Sequence, residues 1–436
     1  MSLAFVHLSD IHFGQEKGGD LYINDDVKER LIDDVRQLAA QLPSGKAAGL
    51  IVTGDIAYAG KEAEYKAAGL WLDRVAEAAG CKKTDIQLVP GNHDIDRDEI
   101  TKATELMLQN ISSDGQPALD SFLNSPVDTA LLYRRFLAYQ PFAQAYRCPL
   151  DDKGGQPEAH VAHLAEGRSI RFIRLNSALI CSKRDAHGKL ILGARQRVIP
   201  ERPGEEIVVL SHHPLGWFQD SEDATRYIRN RARVFISGHE HNPSVRVERV
   251  DAGRDVMMLA AGATVPPTQH DMYTYTYNII EFGWEPETDS LDVKVKPRAW
   301  DDDRKRFVED TVRLGGQEPQ FVLGCPNFKG VASSVPVSKP EPALSETPIE
   351  IVISAPELPK AQDEKMTDDY SMLLLRFFRD ISPDNRLKIL VELGAIPAGW
   401  TDVLSQPNER RAFDALIKKG RLHDIVQAVD KIEKDK

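Results

Sequence analysis

The chain has 436 residues, 42% of them hydrophobic and 28% charged, which is enough for two or three domains with at least one large core. Its formal net charge of −12 disfavours sequence-independent attraction to nucleic acid or to an anionic membrane, although it leaves room for a local basic groove. Cys81, Cys148, Cys181 and Cys325 are too scattered for a CxxC site or a disulfide framework. With no signal peptide and no apolar run of membrane length in view, a cytoplasmic protein is expected.

Short apolar runs recur along the chain, and most end in a polar cluster. Residues 3–8 run into Asp10-Ile11-His12, residues 49–52 into Gly54-Asp55, and residues 86–89 into Gly91-Asn92-His93-Asp94. Residues 170–175 end at Asn176-Ser177, residues 207–210 precede His212-His213, and residues 234–236 precede Gly238-His239-Glu240-His241. Runs of this length read as buried strands. Between the first of them lie helical patterns. Val27, Leu31, Ile32, Val35, Leu38 and Leu42 repeat close to every 3.6 residues until Pro43 stops the series, and residues 62–79 behave alike. Strand–helix alternation predicts a layered α/β core with its site at the strand ends.

Residues from Arg97 to about Ala165 interrupt the series and read as an insertion near the strand ends. Within it, residues 118–123 and 131–142 look helical and 151–155 look like a loop. After Gly253, residues 256–260, 275–282 and 291–295 read as consecutive strands of an antiparallel second sheet. Residues 331–365 are rich in Pro, Ser and Glu and read as an extended linker, with 349–353 as a brief strand inside it. Residues 367–436 form a separate helical module with equal numbers of acidic and basic residues. Thr367 is placed to cap its first helix, Ser382-Pro383 to start a second ended by Gly394, and Gly420 to end a third before a fourth over 422–432.

The clusters hold most of the chemistry. Six of the 12 histidines lie in them. Asp10 and His12 are two apart at an extended strand end, so both can point one way, and so can His239 and His241. Asp55 follows a glycine that permits close backbone approach, Asn92 offers an amide oxygen, and His212 adds an imidazole. A carboxylate such as Asp55 is the natural bridge between two ions. This mixture suits borderline divalent cations, Mn or Fe first and Zn as an alternative, and two such ions side by side can activate water and clamp a phosphoryl group. Of the remaining histidines, His7 is expected to pack on the first strand or sit at its rim, and His187 and His270 at surface or capping positions, with pocket lining as the alternative. His160, His163 and His423 are expected at surface or capping positions. Trp217, Phe218 and Tyr273 are expected in the core, with a substrate wall as the alternative, and Glu240 is expected to point away from the metals.

The ordered set DxH, GD, GNH[DE], a strand-end histidine and GHxH resembles the calcineurin-like metallophosphoesterase superfamily over roughly residues 1–300. The resemblance implies an α/β (α+β) fold, a β-sandwich flanked by helices, with a dinuclear centre at the sheet edge. It implies that Asp10, His12, Asp55 and His241 bind one metal and that Asp55, Asn92, His212 and His239 bind the other. His93 would be the acid that assists the leaving group, with Asp94 orienting it. His213 resembles the second member of a doubled histidine and is placed behind the metals or against the substrate. The implied reaction is attack on phosphorus by a hydroxide held between the metals. The implied substrate is a phosphodiester in a nucleotide, a nucleic acid or a small molecule.

Residues 382–400 resemble the small effector-associated, death-like helical domains that act as adaptors. That implies recruitment of a protein partner through residues 367–436. The expected architecture is therefore a catalytic unit over 1–328 with an insertion at 97–165, a Pro-rich linker over 329–366, and a small all-α domain over 367–436. A phosphomonoesterase or protein phosphatase is the competing enzyme reading. A non-catalytic metal-binding regulatory module recruited through the tail is the competing reading outside enzymes. No membrane partner is expected.

Overall fold

A computed structural model describes residues 2–15, 20–250, 254–266, 274–310, 314, 319–329, 362–400 and 404–434. The expected strand at 349–353, most of the linker, His270 and Tyr273 lie outside these residues. The chain is a mixed α/β protein: two sheets flanked by helices, followed by a helical C-terminal region.

The first sheet is built on β1 (Ser2–Leu8), β2 (Gly49–Val52) and β3 (Ile86–Leu88), which run parallel. The connecting helices α1 (Asp20–Gln41) and α2 (Glu62–Ala79) carry the predicted apolar stripes. The insertion holds α3 (Lys102–Asp114), α4 (Gln116–Asn124), α5 (Pro126–Tyr133) and α6 (Tyr139–Ala145). The single helical stretch expected over 131–142 is broken by a 3-10 turn at Arg134–Phe136. The fully buried Arg135 in that turn donates to the carbonyls of Leu132, Leu179 and Cys181, which anchors the insertion to the loop after the next strand pair.

The second sheet contains β4 (His160–Ala165), β5 (Arg168–Arg174), β6 (Glu205–Leu210), β7 (Ala232–Ser237), β8 (Ser244–Glu248) and β9 (Val256–Ala260), in the order β4-β5-β6-β7-β9-β8. Two short or middle-length helices, α7 (Ala194–Arg197) and α8 (Ser221–Arg231), lie in its crossovers. The residues expected to close the insertion thus form its antiparallel edge strand. The expected antiparallel sheet after Gly253 is also corrected. β9 joins this second sheet parallel to β7, whereas β10 (Thr276–Glu285) and β11 (Ser290–Asp301) pair with each other and extend the first sheet beside β1. β12 (Arg306–Glu309) and β13 (Gln320–Gly324) both pair with β11, and a single turn, α9 (Pro326–Lys329), follows.

Strand alternation divides the core. Phe5 and Ile51 face the opposite sheet, where Phe5, Phe172 and Phe282 meet edge to face at 5.3–6.2 Å between ring centres. Val6, Leu8, Leu50 and Val52 face the helices. Truncating one of these buried phenylalanines costs about 3–5 kcal/mol.

The C-terminal helices are α10 (Gln362–Leu375), α11 (Pro383–Glu392), α12 (Gln406–Lys418) and α13 (Leu422–Lys434), with a π-helical turn at Arg376–Asp380. Thr367 lies inside α10 and caps nothing, whereas Pro383 begins α11, and Gly394 and Gly420 sit just past helix ends with positive φ, as the sequence predicts. Phe377, Phe378, Phe413, Leu416, Ile425 and Val429 form their shared core. The π turn rests on α2 and α6. Arg379 donates to both Asp73 oxygens (2.7 and 3.1 Å) and to the Tyr146 hydroxyl (3.0 Å), passing over Gly69, where a Cβ would come within 3.0 Å of its Cδ. Among the described residues, no helix is long and apolar enough to cross a membrane.

Candidate metal centre

The C-terminal ends of β1, β2 and β3 meet those of β6 and β7 at one edge of the sandwich, and every predicted ligand sits there. The backbone is specialised to aim them. Asp10, His12, Asp55, His239 and His241 all have φ between 51° and 73°, a left-handed conformation uncommon outside glycine and found at sites where surrounding structure enforces it. The motif glycines serve the same approach. A Cβ on Gly91 would lie 2.1 Å from Asp55 Oδ1, and one on Gly54 would lie 2.6 Å from His212 Nδ1.

His12 Nε2 and His212 Nε2 each stand 3.3 Å from the same oxygen, Asp55 Oδ2. On one side His241 Nε2 approaches Asp10 Oδ1 at 3.0 Å. On the other, His212 Nε2 is 3.1 Å from Asn92 Oδ1 and 3.2 Å from His239 Nδ1. The donor atoms of Asp10, His12 and His241 lie within 4.8 Å of one another, as do those of Asp10, Asp55 and His212. The Nδ1 atoms of His12 and His212 donate to the carbonyls of Val265 (3.3 Å) and Thr53 (2.8 Å). A carbonyl only accepts, so Nδ1 carries the proton and each neutral ring leaves its Nε2 lone pair for a cation. The residues present therefore fit divalent metal ions.

Without a cation these groups hold protons in its place. Burial lowers the pKa of His212, but the Asp55 carboxylate outweighs burial and holds it up at about 9. His12 is likewise raised: burial opposes protonation, and the hydrogen bond and charge of Asp55 prevail. Burial raises Asp55, but the His212 charge and the His12 hydrogen bond bring it well below the carboxylate range. His239, buried beside the His212 charge, is pushed down to about 4.

His93 lies against this cluster, with its ring 5.0 Å from that of His12 and stacked on Tyr58 at 5.1 Å. Its backbone N–H donates to Asp55 Oδ1 (2.8 Å), and its Nδ1 meets the Tyr58 carbonyl at 2.7 Å, which leaves Nε2 for the site. The Tyr58 carbonyl is thus the partner that holds the His93 ring, and among the described residues no hydrogen bond joins Asp94 to it. The Asp94 carboxylate accepts from the backbone N–H groups of Ile56, Ala57 and Gly91 and from the Tyr65 hydroxyl, which binds the Asp55 loop to the Asn92 loop and to α2. Burial and the Asp55 charge push its pKa up to about 7, against the pull of those backbone donors.

His213 is fully buried behind the cluster, where Ser177 Oγ meets its Nδ1 at 2.9 Å and Cys181 Sγ stands 3.9 Å from its Nε2. Burial, then the His212 charge, keeps it neutral. Ser177 thus supports the site rather than merely ending a strand. Trp217 sets its ring edge-on 4.2 Å from His239, backs onto the exposed His187 at 5.6 Å, and donates to the outward-facing Glu240. Phe218 is in the core, as expected. His7 is buried against Thr53 and Asn278. Tyr58 and Tyr65 were not singled out in the sequence. The signal for Tyr58 was its place in the loop after Asp55, while that for Tyr65 was hidden inside a helical stripe.

Comparison with known proteins agrees with the motif order. The chain is 24% identical over 280 residues to the uncharacterized metallophosphoesterase-like protein YydB of Bacillus subtilis, an alignment covering 61% of this chain and 54% of that protein. It thus spans about half the length of the curated relative it matches. Among solved structures it is similar to the purple acid phosphatase PPD1 of yellow lupin (10% identity, 78% of this chain and 57% of that one, TM-score 0.39). It is also similar to a single mutant of Vps29 from Entamoeba histolytica (10% identity, 74% of this chain and 100% of that one, TM-score 0.31). Residues 369–431, within the helical tail, match the model of a GTPase-associated adaptor domain. Residues 3–243 match that of the calcineurin-like phosphoesterases, and with more than half its length so matched the chain belongs to that family.

Proposed function

We propose that the chain is a phosphodiesterase using two divalent cations, Mn or Fe first and Zn as an alternative. The observation that carries the reading is the single Asp55 oxygen flanked at 3.3 Å by His12 Nε2 and His212 Nε2, the arrangement of a carboxylate shared between two ions. Asp10, His12, Asp55 and His241 would hold one ion, and Asp55, Asn92, His212 and His239 the other. Two such ions, when bound, supply Lewis acidity and an activated water at the phosphoryl group. His93 Nε2 faces the place of the leaving oxygen. Burial lowers its pKa, with Asp55 opposing, so its acid form depends on the negative charge that a phosphoryl group brings. Asp94, Tyr58 and Ser177–His213 hold the loops that aim these groups.

The same proposal divides the chain into a catalytic unit over 1–328, a connector over 329–366 and an adaptor over 367–436, supported by the family matches at 3–243 and 369–431. The adaptor would recruit a protein carrying a matching helical domain. Four unpaired thiols support a cytoplasmic setting.

With Mn added, a bis-aryl phosphate should turn over faster than a mono-aryl phosphate. The reverse order would assign a phosphomonoesterase, and no turnover with Mn, Fe or Zn would assign a metal-binding regulatory module. His93→Ala should slow esters of poorly leaving alcohols by roughly a hundredfold and activated aryl esters much less. Equal slowing of both would remove His93 from the acid role.

A further inference from the structure

A cleft of about 350 Å³ opens between α3 and the loop that follows β5. Its floor is apolar, with Ile180 and Leu190 buried. Its rim carries Arg97, Lys183, Arg184 and Lys189, against a chain whose net charge is −12. Arg97 connects it to the centre: Nη2 donates to the carbonyl of Asn92 at 3.2 Å, while Nε is buried without a hydrogen-bond partner among the described residues. Arg184 is occupied by Glu105 at 3.3 Å. Among the described residues, Lys183 and Lys189 have no carboxylate within 4 Å, although both are exposed and border the cleft. The other acidic group at the rim, Asp185, has its carboxylate engaged by the Ser182 backbone N–H at 2.7 Å.

The same loop reaches an aromatic surface on its far side. His187 stands against Trp217, Trp217 against His239, and the Leu190 N–H donates to the Trp217 carbonyl. Basic side chains along one side of a loop next to the metal centre, with an aromatic pair on its other side, are a combination that suits single-stranded nucleic acid. Cations track the backbone and rings stack on bases whatever their identity.

We propose that Lys183 and Lys189, with Arg97, form a second phosphate subsite, and that the substrate is a single strand of nucleic acid. The phosphate next to the scissile one lies in the cleft and a flanking base lies against Trp217 and His187. This rests on the reading of the metal centre as a phosphodiesterase, but the subsite can be tested without turnover.

The experiment uses the full chain loaded with Mn and a fluorescently labelled oligothymidylate of eight nucleotides. Lys183→Ala/Lys189→Ala should weaken binding, read by anisotropy, at least about tenfold and reduce the slope of log affinity against log salt by about two. It should lower kcat/KM for the oligonucleotide at least about tenfold more than kcat/KM for a bis-aryl phosphate, which has one phosphate and cannot reach the cleft. Trp217→Ala should weaken the oligonucleotide further with no change in salt slope. Unchanged binding and slope in the lysine variant overturn the subsite, as does an equal loss on both substrates. Tighter binding of a duplex than of the strand overturns the single-strand assignment. If the wild type binds the strand through these lysines but hydrolyses neither substrate, the subsite stands and the phosphodiesterase reading falls.

Discussion

The candidate metal centre and the contact between the C-terminal helices and the two-sheet unit are both built from ionic groups, but they are built in opposite ways. At the centre short side chains are fixed by the backbone itself: five candidate ligands adopt left-handed conformations, and Asp10 and Asp55 are at most 2% exposed. At the contact of the C-terminal helices long side chains reach across. Arg379 bridges to Asp73 from the π turn, Lys82 to Asp368 at 2.7 Å with both partners about half exposed, and Arg410 to Glu158 at 3.5 Å. The first arrangement tolerates no change of length or angle. The second is graded: the exposed Lys82–Asp368 pair contributes at most about 1 kcal/mol, whereas Arg379–Asp73 and, less completely, Arg410–Glu158 are buried. Chemistry is concentrated where geometry is rigid, and attachment is placed where geometry can yield.

The sharpest way to break this contrast is Asp55→Asn. Asparagine keeps the shape and tolerates the left-handed backbone, so the fold should persist while the shared charge disappears. Loss of several kcal/mol of transition-state stabilisation corresponds to roughly a thousandfold fall in kcat for the bis-aryl phosphate, with metal content falling in parallel. Activity within tenfold of wild type would mean that Asp55 is not the bridge.

The next effect concerns the metal-free protein. His212 has a folded pKa near 9, above the ordinary 6.5, so its protonated form stabilises the fold. That stability is fully present below pH 6.5 and is lost as pH rises through 9. His12 is shifted in the same direction. The melting temperature of chelator-treated protein should therefore fall between pH 6.5 and 9, while the Mn-loaded protein, in which the cation replaces these protons, should be nearly flat. A fall of equal size in the loaded protein would place its origin elsewhere in the molecule.

The smallest effect on catalysis should come from Arg379→Ala. Removing it leaves Asp73 with Lys83 alone at 3.1 Å, so docking of the π turn should weaken by about 1–3 kcal/mol, visible as faster hydrogen exchange in α10. Hydrolysis of the bis-aryl phosphate should stay within about twofold of wild type. A loss as large as that of Asp55→Asn would show that the two regions are not separable.

The parts of the molecule legible in the sequence are those governed by local pattern. Strands β2 and β9 and helix α2 fall where the apolar runs place them, because each is bounded by its own turn or cap. The motif clusters come together because every parallel strand ends at the same edge. What the sequence hides is partner choice across distance. β10 reads as a strand but carries no sign that β1, more than 250 residues away, is its neighbour. The Tyr58 carbonyl that orients His93 is a backbone atom and leaves no residue signature. Asp94 looks like a carboxylate for a histidine, yet its work is to gather backbone N–H groups from two loops.

The left-handed ligands have a consequence for how such a chain drifts over generations. Glycine at any of Asp10, His12, Asp55, His239 or His241 would relieve about 1 kcal/mol of backbone cost. At Asp10 or Asp55 it would also remove a carboxylate held out of water. Mutation acting under selection for foldedness alone would erase these residues early. Their survival together is a record that something other than stability has kept them, and a homologue in which the first of them has turned to glycine marks where that pressure was lifted.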